Sequence, residues 1–414
     1  MKLKILPFFL IVTSTMTNAR KENLHRIVLT NTDTDSSEKF DEKTVTDFNM
    51  KGSLIKTFAV EAALYNTDKN VVCSPISAFI PLGKLVLGAD KYTREELLNA
   101  LGYSDRHKVK RKLKKLIQQL KFLPGIVLTI VNKIYISGDY ELKPEFSEEA
   151  KEVFETSVDK INFESSHSAA KIINEWVEEN TNGMIKDIMD PSTIMPMSSL
   201  VIINAVYFHG KWKHKFNHVT SGIFNSPQGP RNVSMISTTK NFNYASNPVL
   251  DAQIIEVPYK EENVSFIIVL PNNPYGLNVL LHRLKSNPTL LEQAFVNMMP
   301  AKVTLSLPKF KIETELDLQY LYQKVGVRSI FYSYSSDLAS MIKYKDGDTR
   351  AYVGKATQRA IIEVDESGTE ASAASVIEIF ATMYIPPINF TADRPFLFFV
   401  KALRQQLFAG TFVQ

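Results

Sequence analysis

The sequence predicts a single domain that mixes α-helices and β-strands. Two observations carry this. From about residue 125 onward, strand-like apolar runs alternate with stretches of helical spacing. No long linker divides the chain after residue 45, and no repeat of fixed period appears. A length of 414 residues alone favours two or three domains, so pattern and length pull in different directions.

The N-terminus comes first. Lys2 and Lys4 form a basic start, Ile5 to Val12 an apolar run broken by Pro7, and Thr17 to Ala19 a small-residue cleavage region. Residues 1–19 therefore read as a secretory signal, too short to span a bilayer. Residues 20–45 are polar and read as a flexible extension. Ile55, Phe58, Ala59, Ala62 and Ala63 then recur at helical spacing. Ser74 and Pro75 read as N-cap and first residue of the next helix, with Phe79, Leu82, Leu85 and Val86 inward. Thr93 and Glu96 have capping-box spacing ahead of Leu97, Leu98 and Leu101. Ile126 to Ile136 is β-branched and strand-like. Ala169 to Ile188 is helical, with a break near Asn182 and Gly183. Leu200 to Phe208, Val264 to Leu270, Lys302 to Lys311 and Ala360 to Val364 read as strands.

A hydrophobic content of 44% and a charged content of 22% are ordinary for a globular chain. No segment after the signal is long and apolar enough to cross a membrane, so a soluble secreted protein is expected. Cys73 is the sole cysteine, which excludes an internal disulfide and reads as a buried, inert thiol. Asn232, Asn263 and Asn389 each open a glycosylation sequon.

The chain lacks a nucleophile elbow, a phosphate-binding glycine loop, a dinucleotide fingerprint and a His-Glu-x-x-His motif. His214 and His218 have i,i+4 spacing, but the segment Trp212 to Phe216 does not look helical and offers no third ligand, so no metal is expected. One charge run stands out. Arg106, Lys108, Lys110, Arg111, Lys112, Lys114, Lys115 and Lys121 are eight basic residues with no acid among them, so the rest of a +4 chain carries −4. Val109, Leu113, Leu116, Ile117 and Leu120 stripe the same segment, which makes it a surface helix with a cationic face. Such a face is either simply solvated or a candidate site for a sulfated glycosaminoglycan or another polyanion. Nucleic acid is not favoured, because no aromatic residues interleave with the lysines.

The segment from Glu366 to Ser375 is unusual. Read with period two, Thr369, Ala371, Ala373, Ser375, Ile377, Ile379 and Ala381 share one face, while Glu370, Ser372, Ala374, Val376, Glu378 and Phe380 share the other. Pro386 and Pro387 follow, and proline cannot sit in a central ladder. The segment can be a strand but is placed where a loop is equally suited.

These residues resemble the serpin family across about residues 46–414. Asn70, Ser74, Pro75 and Ser77 are similar to the family's Asn-x-x-x-Ser-Pro-x-Ser segment. Asn204, Phe208, Gly210 and Trp212 match its Asn-x-x-x-Phe-x-Gly-x-Trp segment. Phe390 to Val400, with Asp393, Arg394, Pro395, Phe396 and Phe398, satisfies its C-terminal signature. Glu366, Gly368 and Thr369, with the small residues after them, resemble the reactive-loop hinge. There are departures. Lys91 stands where the family often has glycine, and Gln358 replaces its frequent shutter histidine. Glutamine still donates and accepts, so a working but retuned shutter is expected.

The resemblance implies an α+β serpin fold with three β-sheets, about nine α-helices and an exposed reactive-centre loop near 366–387. It implies a monomer that is not an enzyme but a suicide inhibitor of an extracellular serine protease. The hinge would be Glu366, Gly368, Thr369, Glu370, Ala371, Ser372, Ala373, Ala374 and Ser375. Ser74, Ser77, Asn204, Trp212 and Gln358 would form the shutter and breach. Counting seventeen residues from Glu366 places the reactive bond between Thr382 and Met383, with Phe380 and Tyr384 as competing positions. No Lys or Arg lies between Ala371 and Asp393, which favours elastase-like or chymotrypsin-like targets over trypsin-like ones. The alternative is a non-inhibitory carrier of the same fold. Bulky, charged or proline residues on the inserting face mark that class, and Thr369, Ala371, Ala373 and Ser375 are none of these.

Overall fold

The computed structural model describes residues 28–29, 52–121, 123, 125–344, 349–368, 386–403 and 405–414. In chain order, the first half holds β1 (Val28–Leu29), α1 (Gly52–Tyr65), β2 (Val71–Cys73), α2 (Pro75–Gly88), α3 (Lys91–Leu101), α4 (Arg106–Leu120), β3 (Ile126–Ser137), β4 (Glu141–Leu142), α5 (Pro144–Phe154), β5 (Val158–Ile161), α6 (Ser166–Asn180) and β6 (Leu200–Gly210). The second half holds β7 (His218–Ser226), β8 (Gly229–Asn247), β9 (Ala252–Pro258), β10 (Val264–Pro271), α7 (Leu277–Ser286), α8 (Thr289–Val296), β11 (Met299–Pro308), β12 (Phe310–Asp317), α9 (Leu318–Lys324), β13 (Ile342–Lys343), β14 (Val353–Val364), β15 (Ile388–Thr391), β16 (Phe396–Ala402) and β17 (Gln405–Phe412).

The strands form three sheets. A six-stranded sheet runs β1-β3-β6-β14-β12, with β5 beside β3. A nine-stranded sheet runs β15-β11-β8-β9-β10-β16-β17-β2, with β7 beside β8. β4 and β13 make a small third sheet. Nine α-helices surround them among the described residues, so the architecture is the expected α+β one.

The six-stranded sheet is covered on both faces. One face carries Leu200, Ile202, Val206 and Phe208 of β6 into the main core. The other carries Val201, Ile203 and Ala205 against Ala169, Ala170, Ile173 and Val177 of α6. Burial on both faces explains why β6 reads as a continuous apolar run rather than an alternating one. α2 lies wholly inside, with every residue buried. Its N-cap Ser74 accepts from the Ser77 N–H, and Pro75 follows at the first helical position, as the sequence predicts.

Four expectations are corrected. Thr93 does not cap a helix: α3 starts at Lys91 after Asp90. Instead the Thr93 hydroxyl donates to the Ser335 carbonyl, and Glu96 accepts from the Arg328 and Ser329 N–H groups. The span Lys302 to Lys311 is two strands rather than one. The chain leaves the nine-stranded sheet at Pro308 and enters the six-stranded sheet at Phe310, with Lys309 as the crossover. Proline has no N–H to continue a ladder, which fixes the exit. α6 ends at Asn180, and Asn182 and Gly183 take positive φ as the break predicts, but no helix resumes before Ile188. Within the expected flexible extension, Val28–Leu29 pair as an edge strand with Thr129 and Leu128 of β3, since an open edge offers backbone partners to any extended dipeptide. The remainder of residues 1–51 lies outside the described residues, including the expected secretory signal.

The departure at Lys91 has a backbone consequence, because Lys91 has φ 45°, a left-handed conformation that suits glycine. Gly410, in β17, is required for space. A Cβ there would lie 2.3 Å from the Val71 carbonyl oxygen and 2.5 Å from the Phe398 ring. Gly410→Ala should therefore cost about 2 kcal/mol or more by overpacking. Denaturant unfolding of the two proteins, with equal m-values and a lower midpoint for the variant, checks this. An unchanged midpoint would contradict the close approach of β2 and β16.

Candidate functional site

The candidate site is a seam in the six-stranded sheet. β14 pairs parallel with β6, from Val353 opposite Leu200 to Glu363 opposite His209. Every other junction along the path β1-β3-β6-β14-β12 is antiparallel among the described residues. Parallel ladders are slightly weaker per residue, so the seam is the weaker join along this path, the other parallel pair being the short β5 beside β3. A strand entering from the C-terminal end of β14 would run antiparallel to both neighbours.

At the top of the seam the chain leaves β14 and is held by the segment after β6. The Trp212 N–H donates to the Ser367 carbonyl at 3.0 Å, and the Phe216 N–H to the Glu366 carbonyl at 3.3 Å. The Trp212 indole N–H donates to the Asp365 carbonyl at 2.7 Å. Trp212 is fully buried and stacks on Tyr259 with centroids 4.4 Å apart. Gly368 bridges Trp212, and a Cβ on it would lie 2.6 Å from Lys215 Cα, so no side chain fits there.

Charge ties the same point. His209 Nε2 lies 3.1 Å from Asp365 Oδ2, across the seam. Lys309, the crossover residue, donates to Glu366 Oε2 at 2.9 Å. Burial pushes the Asp365 carboxyl up, but the Ser367 N–H and hydroxyl and His209 outweigh it and hold the group below the usual carboxylate range. The Lys309 ammonium holds Glu366 down in the same way.

Halfway down the seam lies a buried polar row. Asn132 of β3, Asn204 of β6 and Gln358 of β14 are register neighbours across three strands. The Asn204 amide donates to Asn132 Oδ1 and to the Ser77 hydroxyl. The Gln358 amide donates to Asn204 Oδ1 and to the Ser74 carbonyl at 3.0 Å, while its Oε1 accepts from the Ser74 N–H at 2.9 Å. The Ser74 hydroxyl donates to the Leu407 carbonyl of β17 at 2.7 Å. Gln358 thus uses both its donor and its acceptor, and the row binds α2 to the centre of the sheet.

The structure brings Ser74, Ser77, Asn204 and Gln358 together at mid-seam and Trp212, Glu366 and Gly368 at its top. Thr369, Glu370, Ala371, Ser372, Ala373, Ala374, Ser375, Phe380, Thr382, Met383 and Tyr384 lie outside the described residues. Asn132, His209, Lys309 and Asp365 belong to the site but were not read from the sequence. Asn132 and Lys133 interrupt the apolar run of β3, a visible sign of a polar partner. The His209 to Asp365 contact spans 156 residues and leaves no local trace.

The basic segment is the helix α4, and its apolar stripe is buried as expected. Its charges are not uniformly offered to solvent. Arg106 pairs with Glu149, Lys110 with Glu149 and Glu152, Lys114 with Glu152, and Lys121 with Glu155, all at or just after α5. Lys108 reaches Asp105, and Arg111, Lys112 and Lys115 lie on the same helix. Cys73 is buried, which pushes its thiol up to about 12, while a backbone hydrogen bond from Ala409 acts the other way. Asn232, Asn263 and Asn389 are exposed. His214 and His218 lie on no helix, and no group of metal ligands occurs among the described residues. No helix among the described residues is long and apolar enough to cross a membrane.

A family profile described as Serpin (serine protease inhibitor) matches residues 52–414. The chain belongs to the serpin family. This serpin is 36% identical over 357 residues to Antichymotrypsin-2 of Bombyx mori, covering 85% of this chain and 94% of that one. It is 35% identical over 359 residues to Antitrypsin of the same organism, covering 85% and 90%. Arabidopsis AtSerpin1, solved in its native stressed conformation, superposes with a TM-score of 0.81 at 25% identity, covering 89% of this chain and 99% of that one. The protein is a serine protease inhibitor by family, not an enzyme.

Both carboxylates at the top of the seam are held low, so each adds stability that is complete above its unfolded pKa and lost as pH falls through its folded one. Acidification below about pH 4.5 should therefore loosen this serpin progressively. Asp365→Asn should flatten part of that slope in thermal unfolding curves taken from neutral to acid pH. Equal slopes for both proteins would show that Asp365 is not a determinant.

Proposed function

We propose that this serpin is an irreversible suicide inhibitor of an elastase-like or chymotrypsin-like serine endopeptidase and acts outside the cell. The observation that carries the reading is the seam. β6 and β14 lie directly paired, and the chain leaving β14 at Val364 continues into residues with an all-small and aliphatic inserting face. The protease serine attacks the carbonyl of Thr382 and forms an acyl ester, and the amine of Met383 leaves. The freed segment 366–382 then enters between β6 and β14. Roughly sixteen residues at about 3.3 Å each carry the tethered enzyme about 50 Å.

The energetics favour this direction. One parallel ladder is replaced by two antiparallel ones, and Ile377 and Ile379 gain burial. The cost is local: the Asn204 to Gln358 contact and the His209 to Asp365 contact must part. Small residues at 371–375 let insertion begin without a steric block. Loop insertion is a known switching transition of this family.

The names of relatives do not choose a target, since antichymotrypsin and antitrypsin stand at nearly equal identity. The loop supports the choice, because a trypsin-like pocket needs a cationic residue and none lies between Ala371 and Asp393. The basic N-terminal segment with its short apolar run supports secretion, and exposed Asn232, Asn263 and Asn389 are then open to glycosylation.

Incubation with chymotrypsin or pancreatic elastase should give a complex that survives denaturing electrophoresis. Mass measurement of the C-terminal peptide freed on denaturation should start it at Met383. Clean cleavage without complex would instead place the protein among non-inhibitory carriers of the fold.

Thr369→Arg should turn inhibitor into substrate, because a charge on the inserting face must be buried without a partner. The ratio of complex to cleaved product on the same gels should fall about tenfold or more, a ΔΔG above about 1.4 kcal/mol between the two branches. Undiminished complex formation would count against insertion.

A further inference from the structure

β7 pairs with β8 alone among the described residues, so its other side is an open edge of the nine-stranded sheet. The Asn225 N–H donates to the Asp393 carbonyl at 2.7 Å, near the hairpin. No backbone group outside β8 bonds residues 218–224 among the described residues. Side chains alternate along the strand. Phe224 is fully buried and meets the Phe412 ring edge-on, with centroids 4.9 Å apart, which turns Ile223 to the opposite face. Ile223 is 61% exposed, and Val219 on the same face is 51% exposed.

A long, exposed edge with apolar side chains invites a strand from another molecule. Proteins blunt such edges with lysine, inward charges, proline or shortness. β7 has none of these: it is nine residues long and contains no Lys, Arg, Asp, Glu or Pro. Its partner strand supplies something else. Asn232 of β8 stands directly opposite Ile223, and Ser234 opposite Ser221. Residues opposed in an antiparallel ladder share a face, with Cβ atoms about 5 Å apart. Asn232 and Ser234 are both exposed and are the first and third residues of a sequon. Asn389 instead lies opposite Thr304, and Asn263 lies in the turn between β9 and β10. Of the three sequons, Asn232 alone stands opposite an exposed apolar side chain.

We propose that Asn232 carries an N-linked oligosaccharide whose first sugars lie over Ile223 and Val219 and shield the β7 edge from pairing with a second copy of the chain. The inference rests on the reading of the chain as secreted, since that route supplies the sugar. The amide nitrogen of Asn232 attacks the anomeric carbon of an oligosaccharide carried on a polyprenyl diphosphate. A C–N bond forms, the C–O bond to the diphosphate breaks, the diphosphate leaves with the electron pair, and the amide gives up one proton. The product is bulky and strongly hydrated. Anchored one residue across from Ile223, it covers the apolar face with the CH groups of its first rings and keeps an approaching strand off the edge.

The experiment expresses the full chain in secreting insect cells as wild type, Asn232→Gln, Ser234→Ala, Asn263→Gln and the double variant Asn232→Gln/Ile223→Lys. Glycopeptide masses read which sequons are occupied, light scattering reads association, and hydrogen exchange locates the contact. The wild type should carry sugar at Asn232 and stay monomeric. Asn232→Gln and Ser234→Ala, two ways of losing the same sugar, should shift toward dimers and larger species in which the β7 amides exchange more slowly. Ile223→Lys added to Asn232→Gln should restore the monomer, because a charge blunts the edge. Asn263→Gln should behave as wild type. A bare Asn232 in secreted protein whose other sequons are occupied rejects the shield and leaves secretion standing. Sugar at none of the three, in protein retained by the cells, rejects both. An occupied Asn232 whose loss leaves the chain monomeric overturns the proposal, as does association with β7 exchange unchanged. Equal association of Asn263→Gln overturns it too, by reducing the effect to general solubility.

Discussion

Everything in this molecule is arranged around one weak join. β6 and β14 lie side by side and parallel in a sheet whose path is otherwise antiparallel, and both faces of that sheet are covered. Burial on both faces makes sliding costly, so the join can only part along its length. Contacts hold it at two heights. At the top, Trp212, His209 and Lys309 fix the residues that follow β14. In the middle, Asn204 and Gln358 meet across it and are satisfied by α2 on one side and Asn132 on the other. A buried amide row of this kind is stable only when every partner is present, which makes it a threshold rather than a gradual resistance.

The polar row also explains why α2 is buried along its whole length. Its first turn supplies Ser74 and Ser77 to the row, and the Ser74 hydroxyl reaches on to β17 of the other large sheet. Both sheets are therefore bound to one helix terminus. Lys309 links them a second time, as the single residue between β11 and β12 and as the partner of Glu366. These two short connections add to the shared core, in which Phe208 of β6 packs on Phe408 of β17.

Much of this was legible in the sequence where local rules decide. Ser74 and Pro75 announce α2, the apolar run of Leu200 to Phe208 announces a doubly buried strand, and Asn182 with Gly183 announces a break. Position in the family motif also picked out Asn204 and Gln358, which meet halfway down the seam, and Trp212, which lies at its top. Failures share a cause, which is long-range context. Thr93 and Glu96 have the spacing of a cap but serve other segments. Lys302 to Lys311 looks like one strand because nothing local says that the two halves join different sheets. β8 gives little strand signal because many of its positions are exposed and polar. Val353 to Arg359, the first part of β14, hides for a different reason, since its Thr357 and Gln358 are buried against partners far away in the chain.

The order of strands in the larger sheet has one more consequence. β16 and β17 are interior strands, held between β10 on one side and β2 on the other, yet they are the last in the chain. A cut anywhere between Gly368 and Pro386 severs the polypeptide but leaves its final segment laced into the middle of the sheet. The molecule can thus lose a peptide bond without losing a part. What a protease would normally release as product stays behind as scaffold, held between β10 and β2.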